Sequence, residues 1–480
     1  MITLYTPVTG FPDLEAKIAY GLARVGIEAY GSEKVTIKPR AGYYIVEIEA
    51  DIEKLNTTFK FLCDRLLQSE YIFLNTPGIK RSGKPGEKGW NLLAREDESY
   101  QLNKYLRFSF SLKNKKEEPI CNHEGNKIGV QIGFSAEASY HQSRDKIDIQ
   151  KDKRGTHRPT NPKKLCKTCG LLAALGMWFA SFIFSIKEKE VIVIPIPKVE
   201  AVGRDIEKIF SLQHYLRRDY LCRNQKKEPI DIPSTLIPFV FLSKIPSTVE
   251  ILKNFELFIA LLSRQAQVYH VDGISLIPIE DYLQFLENPY NTASVDKMLQ
   301  KEAFGALQEL NKFIHYKNLS SLLSFPRLYV QETSKNKETS KDKYVNLLYP
   351  ETSNYLLEKV AMIREGIIEN KGVRSLADTL SYFVWSKHNK NYSYADNIRN
   401  ARTHEELRNI IARMLREAKL RYDQEHDKKD GEYVNIPSTS DIDEFNKWSN
   451  EAFEEVKATL FILAFTWHSY KKKEEEMQNA

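Results

Sequence analysis

Cysteine is scarce in this chain of 480 residues, which carries five, at positions 63, 121, 166, 169 and 222. So odd and sparse a set excludes a secreted disulfide scaffold and points to a reducing, cytoplasmic compartment. Long apolar runs are also lacking. The longest, Leu171 to Ile186, is interrupted by Ser181 and Ser185 and falls short of the roughly 20 residues that cross a bilayer. It reads as a buried helix, and no membrane partner is expected. The opening MITLYTPVTGFPDLEAK lacks a basic start, an apolar stretch and a small-residue cleavage site, which argues against secretion. No GxxxxGK[ST] phosphate loop, HExxH metalloprotease helix or GxSxG nucleophile elbow occurs, so no catalytic residue is assigned.

What the chain does have is core-forming material. Hydrophobic residues make up 42%, with 24 Phe and 25 Tyr, which excludes a disordered or fibrous protein. The length corresponds to about three domains of roughly 150 residues. The net charge of +6 is mild, but its placement is uneven: residues 71–170 hold 20 Lys or Arg against 11 Asp or Glu, more than the whole surplus. The densest stretch, RDKIDIQKDKRGTHRPTNPKKLCK over 144–167, has nine basic side chains against three acidic ones. Arg144, Lys146, Lys151, Lys153, Arg154, Arg158, Lys163 and Lys164 belong to it. A second cluster, Lys80, Arg81, Lys84 and Lys88, is spaced by Gly and Pro. Flexible basic segments of this kind can follow a phosphate backbone, each contact releasing counterions, and the neighbouring Asn, Thr, Gln and His can reach base edges. A solvated surface loop has the same composition.

Hydrophobic periodicity predicts an α+β protein: an N-terminal mixed α/β region, a cysteine-containing basic insertion and a C-terminal helical bundle. Residues 1–73 form a small α/β unit, with a strand at Ile2–Tyr5, a helix from Pro12 to Val25, strands around Val35–Ile37 and Tyr43–Ile48, and a helix over Ile52–Gln68. Cys63 reads as a core cysteine of that helix. Residues 74–200 hold the basic insertion, in which Tyr105, Phe108, Phe110 and Leu112 alternate as a strand, as do Ile128, Val130 and Ile132. The buried helix 171–186 and a strand Val191–Val199 follow; Pro195 and Pro197 argue against a regular central strand. Residues 201–330 read as mixed and helix-rich, with helices at Ala201–Tyr220 and Ile245–Ala260 and a hairpin turning at Asp272-Gly273. Helices are expected over 292–316 and Leu319–Leu323. After a hydrophilic linker near 330–343, residues 344–480 form a semi-independent bundle with helices Tyr355–Ile367, Arg374–Trp385, His404–Gln424 and Asp441–Tyr470. Asp441 is one N-cap for the last, with Glu444 in capping-box spacing, and a start at Thr439 is the alternative.

Cys166-Lys-Thr-Cys169-Gly170 is the sharpest local motif. Two thiolates separated by two residues can hold one tetrahedral metal, and a second knuckle must supply two more ligands. Cys121-Asn-His123 is the nearest contributor, with His141 and His157 as others. The set Cys121, His123, Cys166 and Cys169 therefore reads as a site for one structural zinc ion. Two other readings stand beside it: cysteines packed at the foot of the helix, and a thiol redox pair at a helix start. His141, Arg144, Asp145 and Asp148 can be drawn as a nuclease site, though such a grouping arises readily in a polar loop. A metal-dependent nucleic-acid enzyme and a zinc-containing structural or interaction protein are thus alternatives to a DNA-binding subunit.

The small α/β start, the cysteine-containing insertion ending in LCKTCG, the adjacent apolar helix and strand and the helical end together resemble the large subunit of the CRISPR Cascade surveillance complex. The likeness is to the CXXC-CXXC group of type I-A and related I-B systems, from whose pattern the chain departs at Cys121-Asn-His123. The resemblance implies a non-enzymatic subunit of a crRNA-guided antiviral complex. It would sit near the crRNA 5′ handle beside the Cascade backbone, 5′-handle and small subunits. It would recognise the protospacer-adjacent motif on target double-stranded DNA, aid R-loop formation and recruit the helicase-nuclease. On that reading the 144–167 segment and the Lys80–Lys88 loop contact nucleic acid. Arg217 and Arg218 extend the surface, unless RRDY is simply the charged face of a helix.

Overall fold

In the computed structural model, the residues described are 1–68, 100–109, 120–125, 127–144, 149–151, 157–159, 163–216, 219–224, 226–245, 249–265, 268–335, 348–386, 390–426 and 432–466. The fold is α+β, and the chain divides into two compact units that are not contiguous in sequence. One comprises Met1–Cys222 and Ser247–Leu283; the other comprises Arg223–Pro246 and Gln284–Ala480. The region read as one mixed stretch over 201–330 is shared between them.

In chain order the first unit begins with β1 (Ile2–Tyr5), α1 (Pro12–Tyr30), β2 (Val35–Arg40), β3 (Tyr43–Ile48) and α2 (Ile52–Gln68). The insertion then supplies β4 (Lys127–Gly129), α3 (Ala136–Arg144), β5 (Ile149–Lys151), β6 (His157–Pro159) and β7 (Lys164–Cys166). Next come α4 (Lys167–Ala180), β8 (Phe182–Ile186), β9 (Lys189–Pro197), β10 (Ala201–Val202), α5 (Gly203–Tyr215) and β11 (Asp219–Tyr220). After α6 (Ile237–Ser243), which belongs to the other unit, α7 (Val249–Leu252), β12 (Phe255–Gln265) and β13 (Val268–Pro278) return to the first.

Pro12 opens α1 where its missing amide hydrogen costs nothing. Leu14, Ile18, Leu22 and Val25 recur at helical spacing and are fully buried against Leu4, Ile37 and Val46 of an antiparallel sheet ordered β1-β3-β2-β10. Beside this apolar stripe, α1 crosses α4 at backbone contact. A Cβ on Gly21 would lie 2.3 Å from the Leu172 carbonyl oxygen, and one on Gly176 would lie 2.0 Å from that of Lys17.

A second sheet is ordered β11-β8-β9-β12-β13. Several expectations change here. The apolar run 171–186 is a helix only to Ala180, and its second half is β8. Residues 245–260 hold only the short α7 before β12 begins. The helix expected over 201–220 is α5 flanked by β10 and β11. Strand β9 is central despite its prolines. β8 pairs with it only over Lys189–Val193, so Pro195 and Pro197 lie beyond the end of β8. The Tyr20 hydroxyl donates to the Pro195 carbonyl at 2.5 Å. Asp272-Gly273 is not a turn: β13 runs through it, and the register shift opposite Leu261/Leu262 makes Asp272 the extra residue of a bulge. Tyr105 ends a 3-10 turn instead of starting a strand, and β4 pairs with β7; Phe110 and Leu112 lie outside the described residues.

The second unit is helical among its described residues. Beyond α6 and α8 (Glu280–Leu286, which begins in the first unit) it contains α9 (Pro289–Gln300), α10 (Phe304–Tyr316), α11 (Leu319–Lys335) and α12 (Pro350–Tyr355). α13 (Glu365–Ile368), α14 (Lys371–Trp385), α15 (Ser393–Asn400), α16 (His404–His426), α17 (Thr439–Glu451) and α18 (Phe453–Phe465) complete it. The helix expected over Tyr355–Ile367 is broken by a π-turn at Leu356–Val360, and that over Asp441–Tyr470 breaks at Ala452. Ser438 caps α17, with Asp441 as the reciprocal carboxylate of the capping box, so the start at Thr439 is the observed one.

Candidate metal centre

The four residues singled out by spacing converge. One ligand atom from each of Cys121, His123, Cys166 and Cys169 lies within 4.8 Å of every other, and all four residues are buried. Cys166 and Cys169 are positioned by the turn from β7 into α4. Cys166 is the N-cap, its sulfur accepting from the Cys169 amide at 3.4 Å, which sets both sulfurs at the positive end of a 14-residue helix. The other pair is brought in by the strand beside β7: β4 pairs Lys127 with Cys166, and the Cys166 amide donates to the Cys121 sulfur at 3.1 Å. His123 turns Nδ1 into the cluster, 3.3 Å from the Cys169 sulfur and 3.9 Å from that of Cys166.

A tetrahedral zinc ion with bonds of about 2.0–2.3 Å has ligand-to-ligand edges of about 3.3–3.8 Å, and the two distances from His123 to the sulfurs are of that size. The electrostatics favour a cation as well. Hydrogen bonding to Cys121 and Cys169, then to His123, holds the Cys166 thiol well below its ordinary range. Burial pushes Cys169 up, and the bond to Cys166 pushes Cys121 up to about 11. One thiolate is favoured and two neighbours resist ionising beside it, so a set of three needs positive charge at its centre. The residues fit one metal ion. Four protein ligands close a tetrahedron and leave no position for a substrate, which is the pattern of a structural centre.

The centre lies at the base of the basic insertion. The Val130 amide donates to the Lys163 carbonyl and the Ile120 amide to the Lys164 carbonyl, each at 2.8 Å, so the chain leaves and re-enters through a stem whose last residue is a ligand. Among the basic residues expected to touch nucleic acid, Lys164 is exposed on β7 and the Lys163 ammonium lies 4.5 Å from the centre of the Phe11 ring. Arg144 ends α3, while Lys151 and Arg158 lie on the paired strands β5 and β6. Lys80, Arg81, Lys84, Lys88, Lys146, Lys153, Arg154, Arg217 and Arg218 lie outside the described residues.

Of the rival grouping, His141 is exposed and packs beside Phe11, and Asp145 and Asp148 lie outside the described residues. Asp272 accepts from the Ser263 hydroxyl at 2.8 Å, a bond within the β12–β13 pair. Cys63 is buried, and burial pushes its thiol well up, as suits a core residue.

Two residues around the centre carry no signal in the sequence, Tyr105 and Lys127. The Tyr105 hydroxyl lies 2.9 Å from the Cys169 sulfur, and the Lys127 ammonium lies 3.8 Å from the Cys121 sulfur. Neither type nor spacing marks such neighbours; only the strand pairing that sets Lys127 beside Cys166 does. No described helix is long and apolar enough to cross a membrane. No protein-family model matches the chain, and no curated protein matches its sequence.

Proposed function

We propose that this chain is a non-catalytic, nucleic-acid-binding subunit in which one structural zinc ion clamps the stem of the basic insertion. The observation that carries the reading is the placement of the four ligands at the point where the 144–167 segment returns to the core. A basic segment loses conformational entropy when it is fixed along a phosphate backbone. A metal that fixes both ends of its stem removes part of that loss beforehand.

Taken with the sequence resemblance, the role is that of the large subunit of a type I crRNA-guided complex. The guide reads the long target by pairing, while this chain engages the duplex next to the protospacer-adjacent motif, supports strand opening and presents the R-loop to the helicase-nuclease. The basic side chains supply the non-specific part of that affinity, each phosphate neutralised releasing counterions.

The test has two arms. Reversing Lys153, Arg154 and Arg158 to Glu is expected to lower duplex affinity at low salt and to flatten the slope of log affinity against log salt by about 0.9 for each phosphate no longer neutralised. Duplex affinity unchanged at low salt would reject the interface. Purification of the chain from its native cells is expected to bring down a short guide RNA with partner subunits; recovery of the chain without RNA would reject the complex.

A further inference from the structure

We propose that Tyr105 and Lys127 form an outer shell that balances and orients the metal centre, with Tyr105 donating to the Cys169 thiolate and Lys127 neutralising the surplus thiolate charge. The assignment rests on a metal occupying the site.

Three thiolates and a neutral imidazole around a divalent cation carry a net charge of −1, and an uncompensated charge among buried residues is costly. The cation that reaches a ligand sulfur is Lys127. Its ammonium is held by the His123 carbonyl and reaches the Cys121 sulfur, and among the described residues no carboxylate pairs with it. A lysine that is half-buried, without a carboxylate among those residues and directed at a ligating sulfur is placed to balance that charge.

Tyr105 is wholly buried, and among the described residues the one partner of its hydroxyl is the Cys169 sulfur. A phenol is neutral and a good donor at neutral pH, and the thiolate is the acceptor. Its ring also meets the His123 ring edge-on, 4.5 Å between centroids, which holds the imidazole with Nδ1 facing the sulfurs. With the Cys166 and Cys169 amides, each of the three sulfurs then faces at least one donor or cation. Hydrogen bonds to a metal-bound thiolate withdraw electron density from sulfur, which makes the centre less reactive and its ligand positions more fixed.

Both residues are positioning residues, so the test reads the metal directly. Cobalt(II) would be loaded into the full chain and into Tyr105→Phe, Lys127→Gln and Lys127→Arg variants, and its affinity measured against a chelator. Tyr105→Phe keeps the ring, and is expected to weaken binding about 10–100-fold, the usual cost of an outer-shell loss. It should also move the sulfur-to-cobalt charge-transfer band to lower energy. Lys127→Gln should weaken binding by a similar factor, with Lys127→Arg restoring most of it. Affinities close to the parent's and an unmoved band in both Tyr105→Phe and Lys127→Gln would overturn the outer shell while leaving the four-ligand site intact. A parent chain that takes up no cobalt or zinc would overturn the site and this assignment together. Should Tyr105→Phe fail to fold, the Lys127 pair decides.

Discussion

Lys17 and Asp13 have no exposed surface, yet both are charged residues of the first turns of α1. The Asp13 carboxylate accepts from the Ser135 hydroxyl at 2.6 Å and the Ala136 amide at 2.8 Å, capping α3, while Glu137 of α3 accepts in turn from the Asp13 amide. Lys17 lies 3.5 Å from Asp13 and donates to the Gly133 and Phe134 carbonyls. Two helix N-termini thus cap each other. The cost falls on two carboxyls: burial pushes both Glu15 and Glu137 up to about 7 from 4.5, in Glu15 against bonds from Thr6 and Thr9. Between about pH 4.5 and 7 the folded chain keeps protons that the unfolded chain has released. Stability is therefore full below the lower value and falls as pH rises through the upper one. Glu15→Gln should flatten that decline. Melting temperatures of parent and variant across about pH 5 to 8 would check it, and parallel curves would show that Glu15 has no part in it.

At the scale of elements, the crossing of α1 with α4 depends on two residues without side chains. The contact distances at Gly21 and Gly176 leave no room for a methyl group. Gly176→Ala is expected to cost about 1–3 kcal/mol, the usual penalty for overpacking, as measured by denaturant titration with an unchanged m-value. That crossing was not legible in the sequence, because nothing local says that Gly21 will meet Leu172 or Gly176 meet Lys17. What was legible had a period. β2, β3 and α2 show alternation or helical spacing, and their observed bounds lie close to those the spacing predicts. Where an element is buried on both faces the period vanishes: Leu257 to Leu262 is an unbroken apolar run because side chains on both faces of β12 are buried, and it reads equally as helix. The same loss of period hid the switch from α4 to β8. All four ligands of the metal centre were legible because two lie in a CxxC motif and two in the nearest Cys-x-His. Tyr105 was not, since its role comes from packing onto Cys169 across 64 residues.

The whole molecule divides differently from a linear scheme with a bundle starting at 344. Helix α11 packs on α18, and the Glu332 carboxylate caps α10 through the Gly305 and Ala306 amides, so residues 284–335 share a core with the C-terminal helices. Removal of 344–480 is therefore expected to strip α10 and α11 of their packing and yield aggregate or protease-sensitive chain. Limited proteolysis of that truncation checks this, and a stable fragment reaching residue 335 would contradict it.

The chain also passes between its two units three times, after Cys222, Pro246 and Leu283. Synthesis on the ribosome must respect that order. β9 waits for its neighbour β12 until residue 265 has emerged, and α6, with Ile237, Phe239, Val240 and Phe241 wholly buried in the finished protein, waits for helices made much later in the same unit. For that interval a short, strongly apolar segment is tethered at both ends to a unit that is still completing its sheet. The nascent chain consequently has a period of vulnerability set by gene order, and chaperone engagement should concentrate there.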